Sequence, residues 1–88
     1  MPKDYAANDI TVTTDWTELN TDFDIGSLNL YPLDGDILFQ FRTKEGWGDS
    51  ITGKSGVPME EEIECLDVRI KAVSGTVNVL YFVKKAYN

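Results

Sequence analysis

The sequence predicts an all-β domain: an antiparallel β-sandwich or jelly-roll-like barrel of about seven short strands. Three observations carry this. Apolar residues recur at period two in several runs, as in Ile37, Phe39 and Phe41, the spacing that places side chains on one face of a strand. Turn signals such as Asp34-Gly35-Asp36 and Ser74-Gly75 divide the chain at short intervals. The one stretch that tempts a helix is Met59–Leu66, where the glutamates favour it but Ile63, Cys65 and a β-branched sequel oppose it.

Taken in order, residues 1–9 read as a loose N-terminal arm, and residues 10–88 as a single β-domain. Ile10, Val12, Thr14 and Trp16 alternate with Thr11, Thr13 and Asp15, a strand signature that puts Trp16 in the core. Asn20-Thr21-Asp22 is turn-like, and Gly26-Ser27 interrupts the alternation begun by Phe23 and Ile25. Leu28–Tyr31 is a short strand closed by Pro32, which has no N–H for a ladder. Ile37–Arg42 is the strongest strand. Residues 43–56 are glycine-rich and read as a long connection, with one brief strand at Ser50–Thr52. Beyond Pro58 the apolar set changes parity between Cys65 and Leu66, which requires a bulge or two abutting strands. Thr76–Lys84 is apolar on both faces, so it is either central or part of a subunit contact.

Composition narrows the function. Eighty-eight residues make one domain, and a chain this short buries only about 60–65% of its unfolded surface. Fifteen acids face eight basic residues, for a net charge of −7. That opposes a nucleic-acid backbone or an anionic membrane as partner. All fifteen acids lie at or before Asp67, and the only charged residues after it are Arg69, Lys71, Lys84 and Lys85. Either this asymmetry balances charge between neighbouring strands, or the molecule is polar and stacks head to tail or docks its basic part on an acidic partner. Cys65 is the only cysteine, so no intrachain disulfide is available, and there is no histidine, the usual general base and metal ligand. No apolar run approaches the ~18 residues of a membrane span. MPKDYAAND lacks the apolar core of a signal peptide, so neither segment is expected.

Gly48–Ser55 matches the phosphate-loop pattern G-x-x-x-x-G-K-[ST] letter for letter. That loop works by joining a buried parallel strand to a helix, and here Gly56 and Pro58 stand where the helix would run. A glycine-rich hairpin loop is the reading. Asp22, Asp24, Asp34 and Asp36 read as turn residues, and Glu60-Glu61-Glu62 as a solvated charge run. No catalytic, cofactor or metal residue is assigned, and no cofactor is expected. The candidates for a contact surface are aromatic: Trp47, between two glycines, and with it Tyr31, Tyr81, Phe82 and Tyr87.

Three stretches together resemble small all-β structural proteins of tailed bacteriophages and prophages. They are Thr14–Leu19, Ser55–Glu60, and the closing Asp67–Tyr81, with its strand, Ser-Gly hairpin and valine-rich final strand. Such proteins are head decoration or cement proteins, head fibres, or tail and neck parts. The resemblance implies a non-enzymatic virion protein acting through homo-oligomer contacts, a trimer among the options, and through other virion proteins. It transfers no catalytic residue. The rival reading is a carbohydrate-binding β-module that uses Trp47 and Tyr31 as stacking platforms.

Overall fold

A computed structural model describes residues 5–86. It contains nine strands: β1 (Tyr5–Val12), β2 (Thr17–Glu18), β3 (Ile25–Pro32), β4 (Ile37–Thr43), β5 (Gly46–Trp47), β6 (Ile51–Gly53), β7 (Met59–Glu61), β8 (Asp67–Ala72) and β9 (Val77–Lys85). Two antiparallel sheets pack face to face. One has the order β1-β9-β3-β7, and the other the order β2-β8-β4-β5, with β6 also paired to β4. The all-β sandwich expected from the alternation is thus observed. The strand count exceeds seven because β2 and β5 are two-residue pieces.

The pairings nest. β1 pairs with β9, β2 with β8, β3 with β7 and β4 with β6. The chain is therefore one long two-stranded ribbon with β5 near its tip, rolled so that β3 also meets β9 and β4 also meets β8. This is jelly-roll winding. Between β1 and β4, and again between β6 and β9, each successive strand changes sheet.

Those changes of sheet explain where the observed elements depart from expectation. Residues 5–9 are not loose, because β1 begins at Tyr5 and runs in register against β9 from Tyr5↔Lys84 to Val12↔Val77. The alternation read from Ile10 to Trp16 stops at Val12. Thr13 accepts a hydrogen bond through its carbonyl from Ala72 N at 2.7 Å, and the chain crosses there to the other sheet. β3 is a single strand across Gly26-Ser27, with a register shift between Ile25 and Ser27. A Cβ on Gly26 would come within 2.8 Å of Ala86 Cα, so the shift needs glycine.

The parity slip is real but sits two residues later than expected. Cys65, Asp67 and Val68 are all buried while Leu66 is only half-buried, so the break falls between Asp67 and Val68. Cys65 bridges Ile25 in the first sheet, and the chain then enters β8 in the second. Ser74-Gly75, with Gly75 at φ 62°, is likewise an arch from sheet to sheet rather than a hairpin. It packs beside the Asp34-Gly35-Asp36 arch. Asn78 N donates to Asp34 Oδ1 at 2.8 Å, Asn78 Nδ2 donates to Asp34 Oδ2 at 2.9 Å, and Val73 N donates to Asp36 O at 3.1 Å.

The core lies between the sheets. Val12, Ile25, Leu28, Leu30, Ile37, Phe39, Val68, Ile70, Val77, Val79 and Val83 are almost wholly excluded from solvent. Phe39 and Phe41 meet edge to face with centroids 5.6 Å apart. β9 is central in its sheet and apolar on both faces: Val77, Val79 and Val83 face the core, while Leu80 and Phe82 face outward, where Leu80 is exposed.

Candidate functional site

Because the interior is filled by these side chains, the residues able to meet a partner lie on the two outer sheet faces. On β8, Val68, Ile70 and Ala72 turn inward, so Arg69 and Lys71 must turn outward. On the adjacent β4, Phe39 and Phe41 turn inward and Gln40 and Arg42 outward. The register sets Gln40 opposite Arg69 and Arg42 opposite Asp67.

Trp16, held on the crossing into β2, and Trp47, on β5, frame this row. The Arg69 guanidinium lies 4.6 Å from the Trp16 ring centre and 4.3 Å from that of Trp47. Lys71 Nζ sits 4.7 Å from Trp16, and the Arg42 guanidinium 5.8 Å from Trp47. The five side chains form a ladder in the order Lys71, Trp16, Arg69, Trp47, Arg42, each ring attracting cations through its electron-rich face. Arg69 is fixed further. Its Nε donates to Gln40 Oε1 at 2.8 Å, and Gln40 Nε2 donates to Ser50 Oγ at 2.9 Å. Trp16 is therefore not the core residue its alternation implied. It is half-buried beneath cations on an outer face.

Among the described residues the only ion pair is Lys54 Nζ–Asp36 Oδ2 at 3.7 Å, between two exposed side chains. No carboxylate among them reaches Arg42, Arg69 or Lys71 at ion-pairing distance. Among the described residues Asp67 is the one buried charged residue. Its Oδ1 accepts hydrogen bonds from Val68 N at 2.8 Å and Asn20 N at 3.1 Å. Burial raises its carboxyl above the usual range, against the opposing pull of those two bonds and of Arg42. Cys65, next to it in the strand crossing, has its thiol pushed up to about 11, by burial first and then by the charges of Asp67 and Asp24.

The other outer face, on the first sheet, holds two of the expected aromatic residues, Tyr31 and Phe82. Tyr31 and Leu80 are exposed, and Phe82 stacks on Tyr5 with centroids 5.6 Å apart. A shallow groove of about 350 Å³ runs between Tyr31, Leu80 and Phe82 on one side and Pro58 and Glu60 on the other. Tyr81 packs against the core and reaches only the groove wall. Trp47 lies on the opposite sheet, so the aromatic candidates do not form one surface. Tyr87 lies outside the described residues.

The phosphate-loop pattern dissolves into strand packing. Ile51–Gly53 is β6, antiparallel to β4. Gly48 N donates to Phe41 O at 2.9 Å, and Lys54 is tied to Asp36. A Cβ on Gly53 would lie 2.8 Å from Ile37 Cγ1, so this glycine serves the core and not an anion. Sequence reasoning missed the ladder's cations. The signal was present, since Arg69 and Lys71 alternate with Val68, Ile70 and Ala72, but nothing in the sequence places Trp16 and Trp47 beside them.

No protein-family model matches the chain, and no curated protein is similar to it in sequence. Its fold is similar to solved structures of an epoxidase. One is hydroxypropylphosphonic acid epoxidase from S. wedmorenis in complex with fosfomycin, at 20% identity and TM-score 0.64, covering 92% of this chain and 43% of that one. Others are FeII HppE, at 19% identity and TM-score 0.65, covering 91% and 43%, and CoII HppE in complex with substrate, at 19% and 0.63, covering 91% and 44%. The chain thus spans less than half the length of these proteins, and the likeness is one of fold. An iron or cobalt ion does not fit the residues present. The chain has no histidine. The positions facing between the sheets are aliphatic or aromatic, and no group of three or more Cys, Asp or Glu converges among the described residues.

Proposed function

We propose that this chain is a non-enzymatic structural protein that acts through its outer faces, associating with copies of itself and docking on a larger particle. This is the role implied by its resemblance to the virion structural proteins of tailed phages. The observation that carries the reading is the filled interior. A β-roll that performs chemistry needs a cavity with converging polar groups. Here Phe39, Ile70, Val79 and their neighbours occupy that space. What remains is a rigid body with two developed faces, one aromatic and one cationic.

Light scattering on the purified chain across a concentration series, with co-sedimentation against particles from its source, tests this. A discrete oligomer or particle-bound chain is the expected result. A chain that is monomeric throughout and never co-sediments would end the proposal. The carbohydrate-binding alternative rests on Trp47 and Tyr31, and of these the Trp47 ring already carries Arg69 and Arg42, while Tyr31 is exposed on the other sheet. Titration with neutral glycans is expected to leave tryptophan emission unchanged.

A further inference from the structure

The ladder concentrates three cations on one sheet face of a chain whose net charge is −7. Within the molecule, none of the three is neutralised by a carboxylate at ion-pairing distance among the described residues. Lys71 and Arg69 are two residues apart on β8, and Arg42 lies opposite Asp67, a further two residues along. A two-residue step along a strand is roughly 6–7 Å, so Lys71 and Arg69 are rooted at that interval, with Arg42 one step further along and one strand to the side.

The complementary charge lies elsewhere on the same chain. β7 is the edge strand of the first sheet, and beyond it the chain leaves the strand until Cys65 bridges Ile25. Along this edge Glu60, Glu62 and Glu64 are exposed while Met59, Ile63 and Cys65 turn inward. Three exposed carboxylates therefore follow one another at alternate positions.

Resting on the assembly reading above, we infer that the cationic ladder binds the acidic edge of a second copy, with Lys71, Arg69 and Arg42 meeting Glu60, Glu62 and Glu64. The contact joins two different surfaces, so it is head to tail and repeats: each copy keeps one ladder and one acidic edge for the next. Trp16 and Trp47 hold the guanidinium of Arg69 in place before the partner arrives, which lowers the ordering cost of docking. Local charge complementarity must act against the repulsion of two molecules of like net charge. That repulsion is screened beyond about 8 Å at physiological salt, whereas the contact pairs lie inside that distance.

The test uses two variants of the full chain. Arg42→Glu with Lys71→Glu breaks the ladder but keeps Arg69 and both indoles. Glu60→Lys with Glu62→Lys and Glu64→Lys breaks the edge. Sedimentation velocity is run at about 20 mM and about 0.5 M salt. The wild type is expected to form a concentration-dependent series of species at low salt and to associate at least about tenfold more weakly at high salt. Each variant alone is expected to be monomeric. An equimolar mixture is expected to associate again, because the intact ladder of one variant meets the intact edge of the other and the two reversed faces also attract. Circular dichroism confirms that each variant is folded, and the milder Arg42→Gln with Lys71→Gln is expected to weaken association partway. Wild-type association that survives both charge reversals would overturn the contact while leaving assembly through another face in place. A wild type that stays monomeric at both salt concentrations would also overturn it, and particle co-sedimentation would then decide the assembly reading alone. A mixture that stays monomeric would show that the faces are not the ones named.

Discussion

Arg69 touches both tryptophans and Gln40, so removing it should loosen two strand connections at once. Arg69→Ala is expected to cost about 1–2 kcal/mol and to shift tryptophan emission as both rings gain water. Denaturant titration followed by fluorescence reads both effects. Asp67 carries a pH signature. Its carboxyl is raised on folding, chiefly by burial, so its contribution to stability is present when it is protonated and is lost as pH rises through the folded value. Ionised Asp67 therefore costs stability at neutral pH. Asp67→Asn keeps an acceptor for Val68 N and Asn20 N, and it should melt higher than wild type at neutral pH. The gap should close as pH falls through and below the ordinary carboxylate range; melting temperatures across pH check this. Cys65, buried and with its thiol raised to about 11, should resist alkylation near neutral pH until the chain is unfolded. Much was legible at this scale: the core faces of Ile37, Phe39 and Phe41, the buried Cys65 and the turn acids. Trp16 was not. Its period-two spacing from Ile10 is genuine, but periodicity does not record that the strand ends at Val12 and that the chain crosses to another sheet before reaching it.

Among the elements, glycines mark where strands come close. A Cβ on Gly35 would meet Val77 Cγ2 at 2.6 Å, and one on Gly53 would meet Ile37 and Met59. Gly53→Ala is expected to destabilise by about 1–3 kcal/mol through overpacking. Lys54→Ala, which loses only an exposed ion pair, should change stability by less than about 1 kcal/mol. Chemical denaturation of the two variants side by side would show that the G-K pair in this string is a packing glycine followed by a surface lysine. Strand existence followed well from alternation and β-branched content, whereas connectivity did not. Ser74-Gly75 has the composition of a hairpin turn, yet it arches between sheets, because Val77 must pack against Gly35 and Asn78 must reach Asp34. Those constraints come from residues some forty positions away and leave no local mark. The ladder was hidden for the same reason: β5 and the crossing before β2 are brought to the β8–β4 face only by the rolled ribbon.

For the molecule as a whole, nesting ties the first strand to the last, the second to the one before last, and so inward. Loop closure must be met before most of these pairings form, so the chain should fold in milliseconds to seconds, which stopped-flow tryptophan fluorescence can follow. A thin core of this kind leaves stability modest. Any loss at the β1–β9 seam should be felt throughout, since β9 is central and joins β1 to β3. The same seam has another consequence. Tyr5 and Lys84 are register partners, so a short linker could join the two ends and the chain could be cut at the Lys44-Glu45 turn instead. Such a circular permutant would keep every ladder while turning the order of assembly inside out. The β1–β9 pair would become a local hairpin able to form first, and β4 and β6, now at opposite ends, would close last.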